Sequence, residues 1–373
     1  MQQPMDEELH TTEEWEVNQE KLQTMLRNTN NPPKLLTRAA CSIFRVPRSF
    51  KDINGKSYQP QAVSIGPYHR GEQNLNMIEE HKWAYLGGML SRLASSGVSL
   101  EVLIRAVHSL EAQARECYSE EISMASDDFI EMMILDGCFI VELFRRFVNY
   151  DFDDPIFKMR WVIDFVFSDL LLVENQIPLF VLQHLFDRTR DERDALRNSL
   201  TALALGFFNV FSSTWRSEEV MISLEDLEGE HLLDLLRASY VKSFPGNLHE
   251  ERMFDHVPLI YNLSKLRRSG IKIKLKKVSS GNFLEVSFES GVLSMPAIHI
   301  DGFSSSFLLN CVAYEQCRCN DSNFFETYVC LLDCLVKSAR DVKYLCDRNI
   351  IDNYFGSDEE LAKFINTVGY DMS

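Results

Sequence analysis

The chain has 373 residues, is 45% hydrophobic and 11% aromatic with 25 Phe, and carries 55 acidic against 38 basic side chains for a net charge of −17. That much apolar mass builds a large core and excludes general disorder. The acidic balance excludes nucleic-acid binding as a main task, because phosphate contacts need a basic face.

The chain opens on a polar, acidic stretch with seven carboxylates and no Lys or Arg between Asp6 and Glu20. It reads as a solvated tail with no apolar core of a secretory signal. Gln2 excludes myristoylation, and Tyr370 to Ser373 is not a prenylation box. Asn28–Lys34, NTNNPPK, reads as a linker. Residues 1–34 are therefore expected to form an acidic, flexible tail and 35–373 a single domain. Cys41 to Gly71 is turn-rich: Asn54-Gly55 marks a turn, and Pro47, Pro60 and Pro67 push their preceding residues toward extended geometry. A helix is predicted from Asn76, with Asn76 as N-cap, Glu79 three residues on, and an apolar stripe of Ile78, Tyr85, Met89 and Leu93. Gly87-Gly88 either weakens that helix or lets a neighbour pack closely.

Asp128 to Val148 is the clearest helix, with Phe129, Met133, Ile140, Leu143 and Phe147 at helical spacing. Phe165–Phe186, FVFSDLLLVENQIPLFVLQHLF, has 14 apolar residues of 22, enough to suggest a membrane span. Glu174, Asn175 and Gln176 at its centre oppose that, because polar groups at mid-bilayer cost several kcal/mol. The segment is expected to be buried protein interior, two helical pieces broken near Pro178. More helical pattern covers Asp191 to Ala204 and Leu224 to Ser239. Gly270 to Val278 then alternates Ile and Leu with Lys, and Phe283 to Glu289 alternates again with Leu284, Val286 and Phe288 inward. With Gly291 to Ile300 as a third strand and Pro296 at an edge, these predict an antiparallel meander with Lys–Glu cross-strand pairs. Helices resume through Phe307 to Cys317, Phe324 to Ser338 and Glu359 to Val368. The expected class is mainly α (α+β): a helical body over 35–265, a small β-meander near 270–300 and C-terminal helices over 303–373.

Common catalytic signatures are absent: no GxSxG elbow, no P-loop and no GxGxxG. His249 to Met253 begins like a zincin helix but lacks the second His. The nine cysteines are an odd number and favour a reduced compartment. Six of them fall between Cys311 and Cys346, with a CxC pair at Cys317 and Cys319 and an i,i+4 pair at Cys330 and Cys334. CxC without CxxC is a weak zinc signal, so partly buried thiols are preferred and no metal is assigned. Asp136 lies on the apolar stripe of the clearest helix, and with Glu174 it makes two carboxylates in apolar surroundings. Such a pair can serve as general acid and base, or each can accept hydrogen bonds from helix-start backbone N–H groups or pair with an Arg, of which Arg45, Arg145, Arg146 and Arg160 are available. The structural role is preferred. Ser64 to Gly71 packs Tyr68, His69 and Arg70 between glycines, either as a ligand loop or as a turn anchored by Tyr68. Lys265 to Lys277 holds seven basic residues and no acidic one. It suits an acidic partner or an anionic membrane, with a solvated strand face as the plainer reading.

Several blocks resemble a known family. Ile43-Phe44-Arg45-Val46-Pro47, Tyr58-Gln59-Pro60, Val63 through His69, and Glu80-His81-Lys82 are similar to the opening of the plant family known as domain of unknown function 247, or uncharacterised protein family 0481. Asp136 to Ile140 with Glu142 to Phe144 resembles its second block. Asp169 to Leu172 with Glu174 to Pro178 resembles its third. Gly291 to Leu293, Ile300-Asp301 and Ala313 to Cys317 resemble later ones. The resemblance implies a plant protein, largely helical, with no established enzymatic activity and no catalytic residues to carry over. Family members typically end in one transmembrane helix, and some grass members act as pollen-side determinants of self-incompatibility. Arg70 stands where the family often has a second His, and Gly302 where a second Asp often follows. Glu359 to Ser373 holds no apolar run long enough to span a bilayer.

The expected function is non-enzymatic recognition of another protein. The alternative is a hydrolase using Asp136 and Glu174. The candidate binding or structural positions are Arg45, Tyr68, His69, Arg70, His81, Asp136, Glu174, Asn175 and Gln176. No catalytic residue and no cofactor is assigned. The expected location is the cytoplasmic face, at the plasma membrane in members carrying the anchor, with this chain itself soluble.

Overall fold

A computed structural model describes residues 41–192, 194, 199–209, 220–221, 223–242, 261–278, 281–318 and 323–370. The expected tail at 1–34, the His249–Met253 motif and Cys319 lie outside them. The body is built in chain order from α1 (Arg48–Asn54), α2 (Asn76–Leu93), α3 (Leu100–His108), α4 (Glu111–Glu116), α5 (Ser126–Val148), α6 (Pro155–Lys158), α7 (Arg160–Asp169), α8 (Leu179–Arg188), α9 (Leu200–Asn209) and α10 (Leu232–Lys242). There follow α11 (Leu263–Arg268), β1 (Lys272–Leu275), β2 (Ser287–Glu289), β3 (Val292–Met295), β4 (Ile298–Ile300), α12 (Gly302–Cys317), α13 (Phe324–Leu335), α14 (Ala339–Cys346), β5 (Ile351–Asn353) and α15 (Asp358–Tyr370). The fold is mainly α with a little β, and from Ser42 onward it forms one compact unit.

Helix α5 is the axis. It is apolar round most of its circumference, so it is buried on every side from Met132 to Arg145, packed by α2, α3, α8 and α9. Each fully buried Leu, Ile or Phe there is worth about 1.5–3 kcal/mol. Gly137 sets how closely α8 approaches, since a Cβ at 137 would collide with Leu185 Cδ1. Charged side chains of α5 are buried with it. Glu142 is buried against Arg92 at 2.9 Å, and Arg145 holds Asp194 through two nitrogens at 2.8 and 2.9 Å.

The Phe165–Phe186 stretch folds as expected into the end of α7, a non-helical turn, and α8. Among the described residues no helix is long and apolar enough to cross a membrane. Other boundaries moved. Asn76 is not a cap: the 3₁₀ turn Gln73–Leu75 runs straight into α2, placing Asn76 inside the helix, and Glu79 turns to Lys82. A Cβ at Gly87 or Gly88 would meet nothing, so close packing is not their role. Helix α9 starts at Leu200, not Asp191, because the Ser199 hydroxyl accepts from Ala202 N at 3.1 Å. Helix α10 starts at Leu232, not Leu224, because His231 Nδ1 accepts from Asp234 N at 3.3 Å.

The antiparallel meander is corrected. β3 is central, paired parallel to β1 and antiparallel to β2, and β4 leaves this sheet to pair parallel with β5. The reason is that Phe283 and Leu284, between the first two strands in sequence, are buried in the core, so the first strand has no adjacent return strand. β1 and β2 are not neighbours, and the one expected Lys–Glu pair that forms, Lys276–Glu285 at 3.8 Å, joins residues outside the ladder. Phe288, expected inward, is 59% exposed. Asp301 caps α12 in a capping box with Ser304.

Candidate functional site

Gln61–Gly66 runs extended between the turn after α1 and α2, with Ala62 to Gly66 buried. No strand lies beside it among the described residues, so its backbone cannot be satisfied by a ladder. Side chains do the work. Asp169, at the end of α7, accepts from the amides of Gln61, Ala62 and Val63 at 2.7–3.0 Å. Asn175 accepts from Ile65 N at 2.7 Å and donates to Val63 O at 3.0 Å and Asp169 O at 2.9 Å. Asp136, on α5, accepts from Gly66 N at 2.8 Å and from Lys82 Nζ at 2.6 Å, while Lys82 also donates to Ser64 O and Glu79. Gly66 is fixed twice: its φ is +74°, and a Cβ would collide with the Gln176 carbonyl. Each buried amide left unpaired costs about 1–3 kcal/mol, so the four at Ala62, Val63, Ile65 and Gly66 together rival the whole stability of a typical domain.

Glu174 forms a second node at the edge of this strap. Its carboxylate accepts from Val46 N at 2.6 Å and from Lys51 Nζ at 2.7 Å, with Arg45 Nη1 at 3.3 Å and His69 Nε2 at 3.5 Å. Arg45 is placed by a short bridge between Ile43 and Tyr118, reaches Glu120 at 3.2 Å, and stacks 4.1 Å above the Tyr68 ring. The Tyr68 hydroxyl meets Ser119 Oγ at 3.2 Å, and His69 Nδ1 meets Glu72 at 2.7 Å. Gln176 closes the turn behind: its amide donates to Leu170 O and Leu172 O at 2.8 and 2.9 Å.

The electrostatics differ between the three carboxylates. Burial pushes Glu174 up, but the nearby His69 imidazole, the Lys51 ammonium and the Val46 amide outweigh it and hold it down to about 2. Burial pushes Asp136 above the ordinary carboxylate range against the opposing Lys82 ammonium. Burial likewise raises Asp169 to about 6, against three amide donors.

The structure thus brings Arg45, Tyr68, His69 and Glu174 into one node and joins Asp136, Asn175 and Gln176 to the strap beside it. Arg70 is partly buried at the edge of this network, 3.2 Å from Glu131 and 4.0 Å from the Glu79 that also holds Lys82. His81 is half-buried on α2 and makes none of these bonds. The partners proposed from sequence were half right. Arg45 serves Glu174, whereas Arg145 serves Asp194, Arg146 serves Asp154 at 2.8 Å, and Arg160 is exposed. Lys82, Lys51 and Asp169 were missed as partners. Lys82 carried a readable signal, because it falls on the buried stripe between Ile78 and Tyr85. Asp136 and Glu174 are each 1% exposed and occupied by their own donors. They do not share a solvent-reached cleft, which the hydrolase alternative requires. Among the described residues no three His, Cys, Asp or Glu side chains gather as a cation site.

What reaches solvent is aromatic. After α5 the chain turns through Tyr150 at φ +57°, with Asp151 N donating to Arg146 O at 2.9 Å. That is the left-handed C-terminal position where glycine is the default. Tyr150 is 77% exposed and Phe152 49%, and their rings meet edge-on at 5.8 Å. On α7, Trp161 and Phe165 are 56% and 40% exposed and pair at 6.3 Å. Asp151, Asp153 and Asp164 lie among them at the surface.

Residues 43–373 match the family model DUF247, described as plant protein of unknown function. A UPF0481 protein of Arabidopsis thaliana is 36% identical, the match covering 93% of this chain and 77% of the relative. A second UPF0481 protein of the same plant is 22% identical, covering 89% of this chain and 78% of the relative. No solved structure matches. The aligned span begins at Ile43, just where the described polar core begins, and the chain belongs to the plant DUF247 (UPF0481) family of proteins of unknown function.

Proposed function

We propose that this chain is a non-enzymatic recognition protein that docks another protein on its exposed aromatic corner. The observation that carries this reading is the exposure of Tyr150, Phe152, Trp161 and Phe165 within one short stretch of chain. Large aromatic rings at the surface add nothing to the core and are the residue type that dominates protein interfaces. Tyr150 additionally holds a left-handed backbone at a cost of about 1–2 kcal/mol, with its ring turned to solvent. Of the exposed aspartates in the same stretch, Asp151 and Asp153 lie 3.6 and 3.0 Å from Arg146 and Lys158, and Asp164 adds a carboxylate that suits a partner segment combining apolar and basic side chains. The polar residues that would supply chemistry are instead occupied in holding the Gln61–Gly66 strap. An encounter at the cytoplasmic face of the plasma membrane, the setting expected for the family, is part of this proposal. The self-incompatibility role of some grass members is not assigned to this chain.

The test is cross-linked capture from plant extract with the wild type and with the Trp161→Ala/Phe165→Ala variant. The expected result is a reproducible partner lost by the variant at an unchanged melting temperature. A partner set identical for both proteins, or none for the wild type, overturns the reading.

A further inference from the structure

The chain is strongly acidic, yet the charged side chains that line one groove are all cations. It is an open depression of about 350 Å³ where α11 turns into β1 and faces α14. Gly270, at φ +85°, makes the turn that sets α11 against β1. The Ser264 hydroxyl donates to Asp341 at 3.4 Å and ties α11 to α14, so the groove is held between three elements. Its charged lining is Arg267, Lys272, Lys274 and Arg348. Arg267 and Arg348 both stack on Tyr344, with Cζ atoms 3.9 and 3.5 Å from the ring centroid.

A guanidinium held by its face keeps its N–H edges available, although Arg348 spends Nη1 on the Tyr344 carbonyl at 3.3 Å. Among the described residues none of these four cations has a carboxylate partner, whereas Lys276 on the same run is turned onto Glu285. Leaving four like charges together is unfavourable without an anion between them, and in a chain of net charge −17 carboxylates are plentiful. Oriented arginine forks beside lysine point charges match phosphate oxygens. The groove volume falls in the range of small-molecule sites, about 300–1,000 Å³.

We propose that this groove binds an anion carrying clustered phosphates, such as a free inositol polyphosphate or a phosphoinositide headgroup. The site is separate from the aromatic corner and does not depend on it.

The test is calorimetric titration of the full chain with inositol hexakisphosphate at low and high salt, alongside flotation with phosphatidylcholine vesicles with and without phosphatidylinositol bisphosphate. The expected result is saturable binding that weakens with salt and falls at least tenfold in Arg267→Ala/Arg348→Ala. A second variant, Lys272→Gln/Lys274→Gln, leaves the stack on Tyr344 intact and is expected to lose affinity by a similar factor. Binding to the free polyphosphate alone identifies a soluble ligand, and binding to the phosphoinositide vesicles alone identifies the headgroup. No saturable binding to either, undiminished binding by both variants, or equal binding of a polyglutamate peptide overturns the proposal.

Discussion

Removing Asp136 tests whether the polar core is a set of staples. In Asp136→Leu the Lys82 ammonium, 0% exposed, loses the carboxylate 2.6 Å away and keeps only Glu79 and the Ser64 carbonyl. Gly66 N loses its acceptor at the same time. Breaking a buried pair from one side costs about 3–5 kcal/mol. The melting temperature should therefore fall by roughly 5–10 °C. Lys82→Met should cost a similar amount but with a pH signature. Its Asp136 keeps one amide donor and only the weaker influence of the Arg70 charge, so its carboxyl moves further above the unfolded value. A raised folded pKa favours the protonated folded state. The deficit against wild type should then be smallest at low pH and grow as pH rises through the folded value. The double variant Asp136→Leu/Lys82→Met removes both charges. It should cost less than the sum of the singles by about 2–3 kcal/mol, with a floor of about 2 kcal/mol from the two strap groups left unpaired. Urea unfolding followed by circular dichroism measures all three. Additive single effects, or an Asp136→Leu protein melting within 1 °C of wild type, would refute the staple argument.

Glu174→Ala should lose about 2–4 kcal/mol in the same assay, since the buried Val46 amide is orphaned while the partly exposed Lys51 and Arg45 regain water. Gly66→Ala should lose at least about 2 kcal/mol, from its left-handed backbone and the Gln176 carbonyl, whereas Gly87→Ala, with open space at its Cβ, should gain up to about 1 kcal/mol. His231 is buried, its Nε2 on Ser42 O at 3.0 Å, and burial pushes it down to about 4. The unfolded chain takes up that proton first, so about 3 kcal/mol of stability should vanish as pH falls from 6.5 to 4, and His231→Gln should flatten that limb of a melting-temperature profile. Asp169 acts in the opposite sense: its raised carboxyl makes the folded state less stable as pH rises from about 3.8 to about 6.

Local pattern was sufficient for what depends on neighbours in the chain. The 3.6-residue spacing of Phe129, Met133 and Ile140 identified α5. The run of Glu174, Asn175 and Gln176 inside an apolar stretch marked a buried polar feature and excluded a membrane span there. The ordered blocks identified the family. What pattern could not supply was the other half of each interaction. Asp169 and Asn175 read from sequence as polar residues in need of partners. Only the tertiary structure shows that the partner is an extended backbone segment more than a hundred residues away, with no ladder of its own. The same holds for β1 and β3: alternation marks a strand, but its neighbour depends on where the intervening chain packs, and Phe283 and Leu284 carry that chain into the core. Burial and hydrogen-bond satisfaction are properties of the whole packed molecule. Charge balance is too, which is why seven basic residues between Lys265 and Lys277 look like a solvated strand until Tyr344 on α14 and Arg348 just beyond it are placed against Arg267, Lys272 and Lys274.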